Sequence, residues 1–427
     1  MVTISNGPGL QVSVPVNLYK LIIIQSSVQS EAVPNKRKLI DILNYFNKID
    51  IMNNDKALLI IADSERDSNM YYATGFPAPD PFVFIRKGNE KIMITSDLEL
   101  DRAKSESKAD KVLSLSQYER IARKKGNNSA CLIEIVAIAL GEMNIKQLQI
   151  PANFSVEYAD FLRKNGFRLE VKQEPFFDSR EIKNEAEIGH IVKTLRNTEH
   201  ALEKAIDFIR KSKIKDGFLF STRNSQITSE SVRQLINVEL MKRGCAAKHT
   251  IVSCGEQSCV PHNTGSGPLR ANESIIFDVF PKDEQTGYYA DISRTIVKGK
   301  ASRSLKKMYK AVSSAQELVF KSAGNDTRGD VIHRKVMKQL SSLGFKTGKM
   351  KGKMQGFFHG TGHGVGLDVH EPPRISKTKC TLKTGHIVTV EPGLYYPGIG
   401  GVRLEDMILI TDDGCTNLTK SPKVLEV

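Results

Sequence analysis

The sequence predicts two domains, an α/β unit followed by a larger unit of helices and strands, and three observations carry that expectation. The chain has 427 residues, about three times the length of a typical domain. Its first part alternates short apolar runs with helical stretches, the pattern of an α/β domain. Its second part opens on a long amphipathic stretch with a clear helix-start signal at Asn184 and continues with further helices among strand-like runs.

Residues 1–33 carry scattered Gly, Pro, Ser and Gln without a period and are expected to form a leader, poorly ordered or peripheral. The α/β domain is expected over 34–180. Lys38–Phe46 has helical apolar spacing, while Ala57–Ala62, Phe82–Ile85 and Lys91–Thr95 are short apolar runs bounded by turn residues and read as strands. Arg120–Lys125 reads as a loop, Cys131–Leu140 as a buried helix and Leu148–Ile150 as a strand. The second domain, 181–427, begins at Asn184 with Glu187 three residues on, the spacing of a capping box. Ile188, Ile191, Leu195, Leu202, Ile206 and Ile209 then keep helical spacing. Glu230–Met241, Ser304–Phe320 and Gly329–Leu343 are further amphipathic helices; Thr250–Val252, Ser274–Phe277, Ile387–Val390 and Met407–Ile410 read as strands.

Composition excludes several classes. The formal charge of +14 invites a nucleic-acid partner, but the 62 basic residues are spread along the chain and are not interleaved with aromatics as a stacking platform would be. A solvated basic face is the better account, and no nucleic-acid partner is expected. Six cysteines without a CxxC pair point to free thiols in a reducing compartment. Leu21–Ile24 is too short to span a bilayer and lacks the flanks of a signal peptide. A cytoplasmic protein without a membrane partner is expected.

The chemistry concentrates in His359–Pro373, which holds three of the nine histidines and four glycines. Glycines allow close backbone approach, and imidazoles bind metals and carry protons near neutral pH. Acidic residues sit at or beside four of the apolar runs: Asp278, Asp291, Glu391 and Glu405. A carboxylate next to a hydrophobic strand needs a partner, a proton or a metal. With His363 they make a ligand set suited to two divalent first-row ions, four negative charges against two M²⁺ and an imidazole that disfavours Ca²⁺ and Mg²⁺. An ion pair about 3.5–4 Å apart can lower the pKa of a shared water and polarise a carbonyl. That is hydrolytic chemistry.

These residues stand in FDVF, YADISRT, GTGHGVGLDVHE, VTVEPGLYYP and GVRLEDM, and over roughly 185–427 the chain resembles the pita-bread metallopeptidases, in the branch of aminopeptidase P and prolidase (Xaa-Pro dipeptidase). Met70–Phe76 resembles the creatinase-type N-terminal domain of that branch. The resemblance implies an α/β creatinase-like domain followed by an α+β pita-bread catalytic domain. It implies that Asp278 chelates one ion, His363 and Glu391 the other, and that Asp291 and Glu405 bridge them. It places His262 and His370 on the substrate side, steadying the tetrahedral intermediate, and His359 in the pocket lining. It makes Arg403 a partner that orients a bridging carboxylate beside the substrate site, and Glu391 the proton shuttle to the leaving amine. The metals it implies are manganese first, with cobalt, zinc and iron also suitable, and the assembly a homodimer.

The expected function is hydrolysis of small peptides whose scissile bond precedes proline, as an Xaa-Pro aminopeptidase or dipeptidase. Two alternatives stand beside it: a catalytically silent peptide-binding module, and a metal-free creatinase-type C–N hydrolase. Both lose metal ligands, and all five are present here. One departure from the family pattern is the loop 279–287, about two residues longer than usual, with Phe280-Pro281 in place of a small Gly-containing turn.

Overall fold

The computed structural model describes residues 56–350 and 352–427, together with the backbone of a hairpin in which β1 (Val2–Ser5) pairs with β2 (Gln11–Val14). The helix expected over Lys38–Phe46 lies outside the described residues, as does the rest of the leader.

The first unit is a six-stranded sheet of β3 (Lys56–Ala62), β4 (Phe82–Lys87), β5 (Glu90–Thr95), β6 (Lys111–Ser114), β7 (Gln147–Pro151) and β8 (Arg168–Lys172), in the order β6-β5-β4-β3-β7-β8. The pairs β3/β4 and β4/β5 are antiparallel, and the outer pairs are parallel. Both faces are covered, which is why these strands read as unbroken apolar runs. Leu59, Val83 and Ile85 point to one core with Val136 and Leu140, while Leu58, Ile60, Phe82 and Phe84 point to another with Met70 and Phe176.

The helices of this unit are α1 (Ser68–Thr74), α2 (Leu100–Glu106), α3 (Leu115–Lys124), α4 (Leu132–Glu142) and α5 (Val156–Lys164). α3 corrects the loop expected over Arg120–Lys125. Ser114 caps it by accepting from the Ser116 N–H, and Tyr118 and Ala122, one turn apart, are buried. The basic residues that suggested a loop are its last turn, where cations meet the negative end of the helix dipole.

The second unit opens on α6 (Glu185–Arg210), with the capping box in place: Asn184 accepts from Glu187 N at 3.0 Å and Glu187 accepts from Asn184 N at 2.9 Å. It continues through α7 (Ser229–Met241), α8 (Arg303–Ser322) and α9 (Gly329–Ser342). Two sheets lie inside these helices. One is β9 (Ile251–Cys254), β10 (Ile275–Val279) and β11 (Ile292–Ile296); the other is built on β12 (Gly362–Gly364), β13 (Glu371–Ile375), β14 (Ile387–Val390), β17 (Asp406–Thr411) and β18 (Gly414–Asn417), with a separate hairpin β15 (Gly393–Tyr396)–β16 (Gly400–Arg403) between β14 and β17 in sequence.

The pleat of these strands decides where the acids go. Ile275, Phe277, Val279 and Ile292 pack on Leu202, Ala205 and Ile236 of α6 and α7. Val388, Val390, Ile408 and Ile410 pack on Val312, Val319 and Val336 of α8 and α9. Because side chains alternate along a strand, Asp278, Ser293 and Glu405 fall on the opposite face, and Asp291 and Glu391 continue it just outside β11 and β14. The long loop after β10 folds onto the first unit. Gly287 takes φ +77°, and a Cβ there would lie 3.1 Å from the Tyr71 ring.

Candidate metal centre and active site

Asp291, His363 and Glu405 each offer a ligand atom, and the three atoms lie within 4.8 Å of one another. His363 Nε2 is 3.7 Å from Asp291 Oδ2, 3.7 Å from Glu391 Oε1 and 4.0 Å from Glu405 Oε1. Its Nδ1 faces the Gly364 carbonyl at 3.1 Å. A proton on Nδ1 satisfies that contact and leaves the Nε2 lone pair aimed at the carboxylates, the tautomer a metal ligand needs. The strand that carries it approaches its neighbour closely: a Cβ on Gly362 would stand 1.9 Å from the Thr389 carbonyl oxygen. That explains one glycine of the Gly-rich stretch.

Asp278 joins this group from the side. Ser293 Oγ lies 2.9 Å from both Asp278 Oδ1 and Glu405 Oε2, and so ties the two carboxylates together. Asp291 Oδ1 is buried without a hydrogen-bond partner. An orphaned, buried carboxylate oxygen facing other carboxylates costs free energy unless a cation meets it. The donor set therefore fits divalent metal.

The electrostatics agree. Burial, then repulsion from Glu405 and Asp278, holds the Asp291 carboxyl well above its usual range. Burial and Glu405 do the same to Glu391, and burial and Asp278 push Glu405 up to about 8. His363 is pulled down to about 3 by burial and by His370. Like charges crowded in a dry site resist ionisation; metal ions are the charges that reverse this.

The remaining expected residues divide. His370 packs edge-on to His363, ring centroids 4.3 Å apart, and is exposed on the open side of the cluster. His262 is exposed on the turn after Cys259, near enough for its charge to act on both His359 and His370. His359 stands at the edge of the cluster, with Nδ1 at 3.9 Å from Glu391 Oε2 and 2.8 Å from the Gly360 carbonyl, and Nε2 at 3.0 Å from Tyr395 Oη. Arg403 differs from expectation. It is buried, and it donates from Nη2 to Asp278 Oδ2 at 2.7 Å, from Nε to Ser293 Oγ at 2.9 Å and from Nη1 to Tyr395 Oη at 3.0 Å. It thus grips Asp278, the acid expected to chelate one ion, and meets Glu405 by hydrogen bond through Ser293, while its charge acts directly on Glu405 and Glu391. Its donors serve the protein rather than open space.

Three residues escaped the sequence reading. Ser293 lies two positions after Asp291 on the same strand face, a spacing that was visible in YADISRT. Tyr395 links Arg403 to His359, within VTVEPGLYYP. Arg374 pairs with His363 across β12/β13, is exposed, and has no ion pair among the described residues; its charge reaches His363, His370 and Glu391. No pattern in the sequence marked it.

Comparison with known families matches residues 190–412 to "Metallopeptidase family M24" and residues 51–145 to "Creatinase/Prolidase N-terminal domain". The chain is 30% identical over 365 residues to an Xaa-Pro dipeptidase of Pyrococcus furiosus, covering 84% of this chain and 92% of that protein. It is 29% identical over 398 residues to one from Pyrococcus horikoshii, covering 88% and 100%. Among solved structures, the prolidase from Pyrococcus furiosus superposes with a TM-score of 0.71 at 26% identity, covering 88% of this chain and 99% of that one. An X-Pro aminopeptidase from Thermotoga maritima shares the fold, with a TM-score of 0.72 at 23% identity over 87% of this chain and 97% of that one. With the clustered carboxylates and histidine at its centre, the chain belongs to metallopeptidase family M24, in the pita-bread branch of the prolidases and aminopeptidases P, and is a metallo-exopeptidase.

Proposed function

We propose that this protein hydrolyses Xaa-Pro dipeptides with two divalent ions held by Asp278, Asp291, His363, Glu391 and Glu405. Manganese is the expected metal, with cobalt, zinc or iron as substitutes. The observation that carries the reading is the buried meeting of Asp291, His363 and Glu405 around an unsatisfied Asp291 oxygen. The bound ions supply a water of lowered pKa and a Lewis acid for the scissile carbonyl.

The chain's own residues do the rest. Glu391, between His363 and the half-open side of the site, takes the proton the attacking water gives up and hands it to the prolyl nitrogen. Arg403 and Ser293 hold Asp278 and Glu405 in place. His262 and His370 face the substrate and donate to the developing oxyanion. Proline's missing N–H and fixed φ make shape and metal the means of recognition.

Arg374 favours the dipeptide over a longer substrate. It is exposed and its charge reaches His370 and Glu391, so its guanidinium would meet the free carboxylate of a bound dipeptide. The named dipeptidases among the relatives support the same choice. We further read the protein as cytoplasmic, in keeping with its six free cysteines, and as a homodimer; no helix among the described residues is long and apolar enough to cross a membrane.

The test is an assay of metal-reconstituted protein on Xaa-Pro dipeptides, Xaa-Pro-Yaa tripeptides and matched peptides lacking proline. Turnover of the dipeptides is expected. Activity confined to the tripeptides selects the aminopeptidase P reading, and a metal-loaded protein inert towards every proline peptide ends both.

A further inference from the structure

The segment joining the two units carries two buried cations whose partners stand far along the chain. Arg180 donates from Nη2 to Asp368 Oδ2 at 2.9 Å and to Glu371 Oε2 at 2.8 Å, across separations of 188 and 191 residues. Lys183 pairs with the other Glu371 oxygen and donates to the Arg180 carbonyl at 2.8 Å. Asp368 and Glu371 are the residues on either side of Val369-His370. One nitrogen of Arg180 thus spans the loop that presents His370.

The first unit completes the clamp. Ser68, at the start of α1, donates to Asp368 Oδ1 at 2.6 Å, and Asn69 accepts from Arg180 Nη1 at 2.8 Å. Glu371 itself lies beneath Gly366, where a Cβ would come within 2.3 Å of its Oε1. The loop is pinned at both ends, and the pins belong to the other unit and the linker. Arg180, Lys183 and Glu371 are nearly inaccessible to solvent, so the pairs to Glu371 act at low dielectric, while Asp368 is half exposed. His370 carries no comparable anchor of its own; its one described ring contact is with His363.

We propose that Arg180 is a positioning residue for His370: by bridging Asp368 and Glu371, it lets the N-terminal unit set the substrate-side wall of the catalytic cleft. The proposal rests on the reading of His370 as a substrate-facing residue. It predicts that loss of Arg180 is felt in turnover and not in metal content: Asp278, Asp291, Glu391 and Glu405 stand clear of the clamp, and His363, which meets the clamped loop at Val369 and His370, keeps its contact with the Gly364 carbonyl.

The experiment is a double-mutant cycle on the metal-loaded full chain with an Xaa-Pro dipeptide. R180Q is expected to lower kcat about tenfold or more, because a misplaced group loses most of its effect within about 1 Å, while bound metal per chain stays at the parent level. R180K, which restores the charge, recovers part of the loss. In the H370A background R180Q should cost less than about twofold, since no imidazole is left to position. Losses that multiply, or an R180Q enzyme as fast as the parent, overturn the proposal. Should R180Q fail to fold, the same cycle is run with D368N, which leaves Glu371 paired to Lys183. Parent-level turnover by H370A alone removes the reading of His370 and the proposal with it, whereas a slowed H370A combined with multiplying losses removes the proposal alone.

Discussion

Two faces of the same strands carry buried charge in opposite ways. On the helix-facing side, Arg294 on β11 and Asp406 on β17 form an ion pair at 2.8 Å. Arg294 also donates to the Glu405 carbonyl at 2.7 Å and the Ser421 carbonyl at 2.7 Å. Asp406 Oδ2 accepts from Asn417 at 2.9 Å and lies 2.8 Å from Lys423 Nζ. Every charge there has its partner. One residue away along the chain, Ser293 and Glu405 face the other side, where Glu405, Asp291, Asp278 and Glu391 have one buried guanidinium among them, that of Arg403, and the exposed Arg374 acting on Glu391. The chain satisfies buried charge where it holds the fold and leaves it unsatisfied where it does chemistry.

The unsatisfied face should break first. H363A and E405A are each expected to abolish turnover and lower bound metal, as read by a peptide assay and metal analysis. Chelation should also lower the melting temperature of the parent, because metal that binds only the folded state stabilises it by mass action. Parent-level activity in H363A would overturn the ligand set.

On the satisfied face the expected loss is in stability. R294A leaves Asp406 Oδ1 and the Glu405, Ser421 and Pro422 carbonyls without their donor while Asp406 Oδ2 keeps Asn417 and Lys423, and should cost about 1–3 kcal/mol in denaturant unfolding. Replacing both partners with apolar residues of similar volume should restore part of that. The first unit supplies a control: L59A, in its wholly apolar core, should cost about 2–5 kcal/mol and leave metal content per folded chain unchanged.

Much of this could be read in the sequence, for definite reasons. Strands buried on one face against helices and ending in a carboxylate announce themselves within a few residues, as SIIFD and VTVE do. The start of α6 was legible because a capping box is local. What the sequence hid was of two kinds. The helices α1, α2 and α5 are seven to nine residues long, too short for a period to emerge, and α3 was masked by its basic last turn. The other kind is distant pairing. The hydrogen bond from Arg403 to Asp278 is invisible in the sequence because the two lie 125 residues apart. Arg180 was passed over because its meaning lies in residues near 370.

A smaller effect follows from His386, which is buried beside Lys183 and Lys383, with Glu181 Oε2 3.7 Å from its Nε2. Burial, then those two cations, pull its pKa down to about 4, below the ordinary imidazole value of about 6.5, and its Nδ1 accepts from Lys383 N at 3.0 Å, which requires that nitrogen unprotonated. The unfolded chain therefore takes up the proton first. Stability contributed by this site is unchanged above about pH 6.5 and falls between about 6.5 and 4, by on the order of 1–3 kcal/mol. H386Q, measured by urea unfolding across that window, should flatten this part of the profile.

The smallest effect tests how far the site depends on the helix beside it. Asn184 caps α6, and its capping-box partner Glu187 also accepts from Tyr288 Oη at 2.7 Å, three residues before Asp291. N184A removes one acceptor from the first turn and should cost about 1 kcal/mol, with turnover intact, because Glu187 still holds Tyr288. E187A removes the cap's return bond and leaves the buried Tyr288 hydroxyl unpaired at once, and an unpaired buried donor costs about 1–3 kcal/mol on its own. Equal losses in the two variants would mean that Tyr288 gains nothing from the helix start, and that the strand carrying Asp291 is held by its own sheet alone.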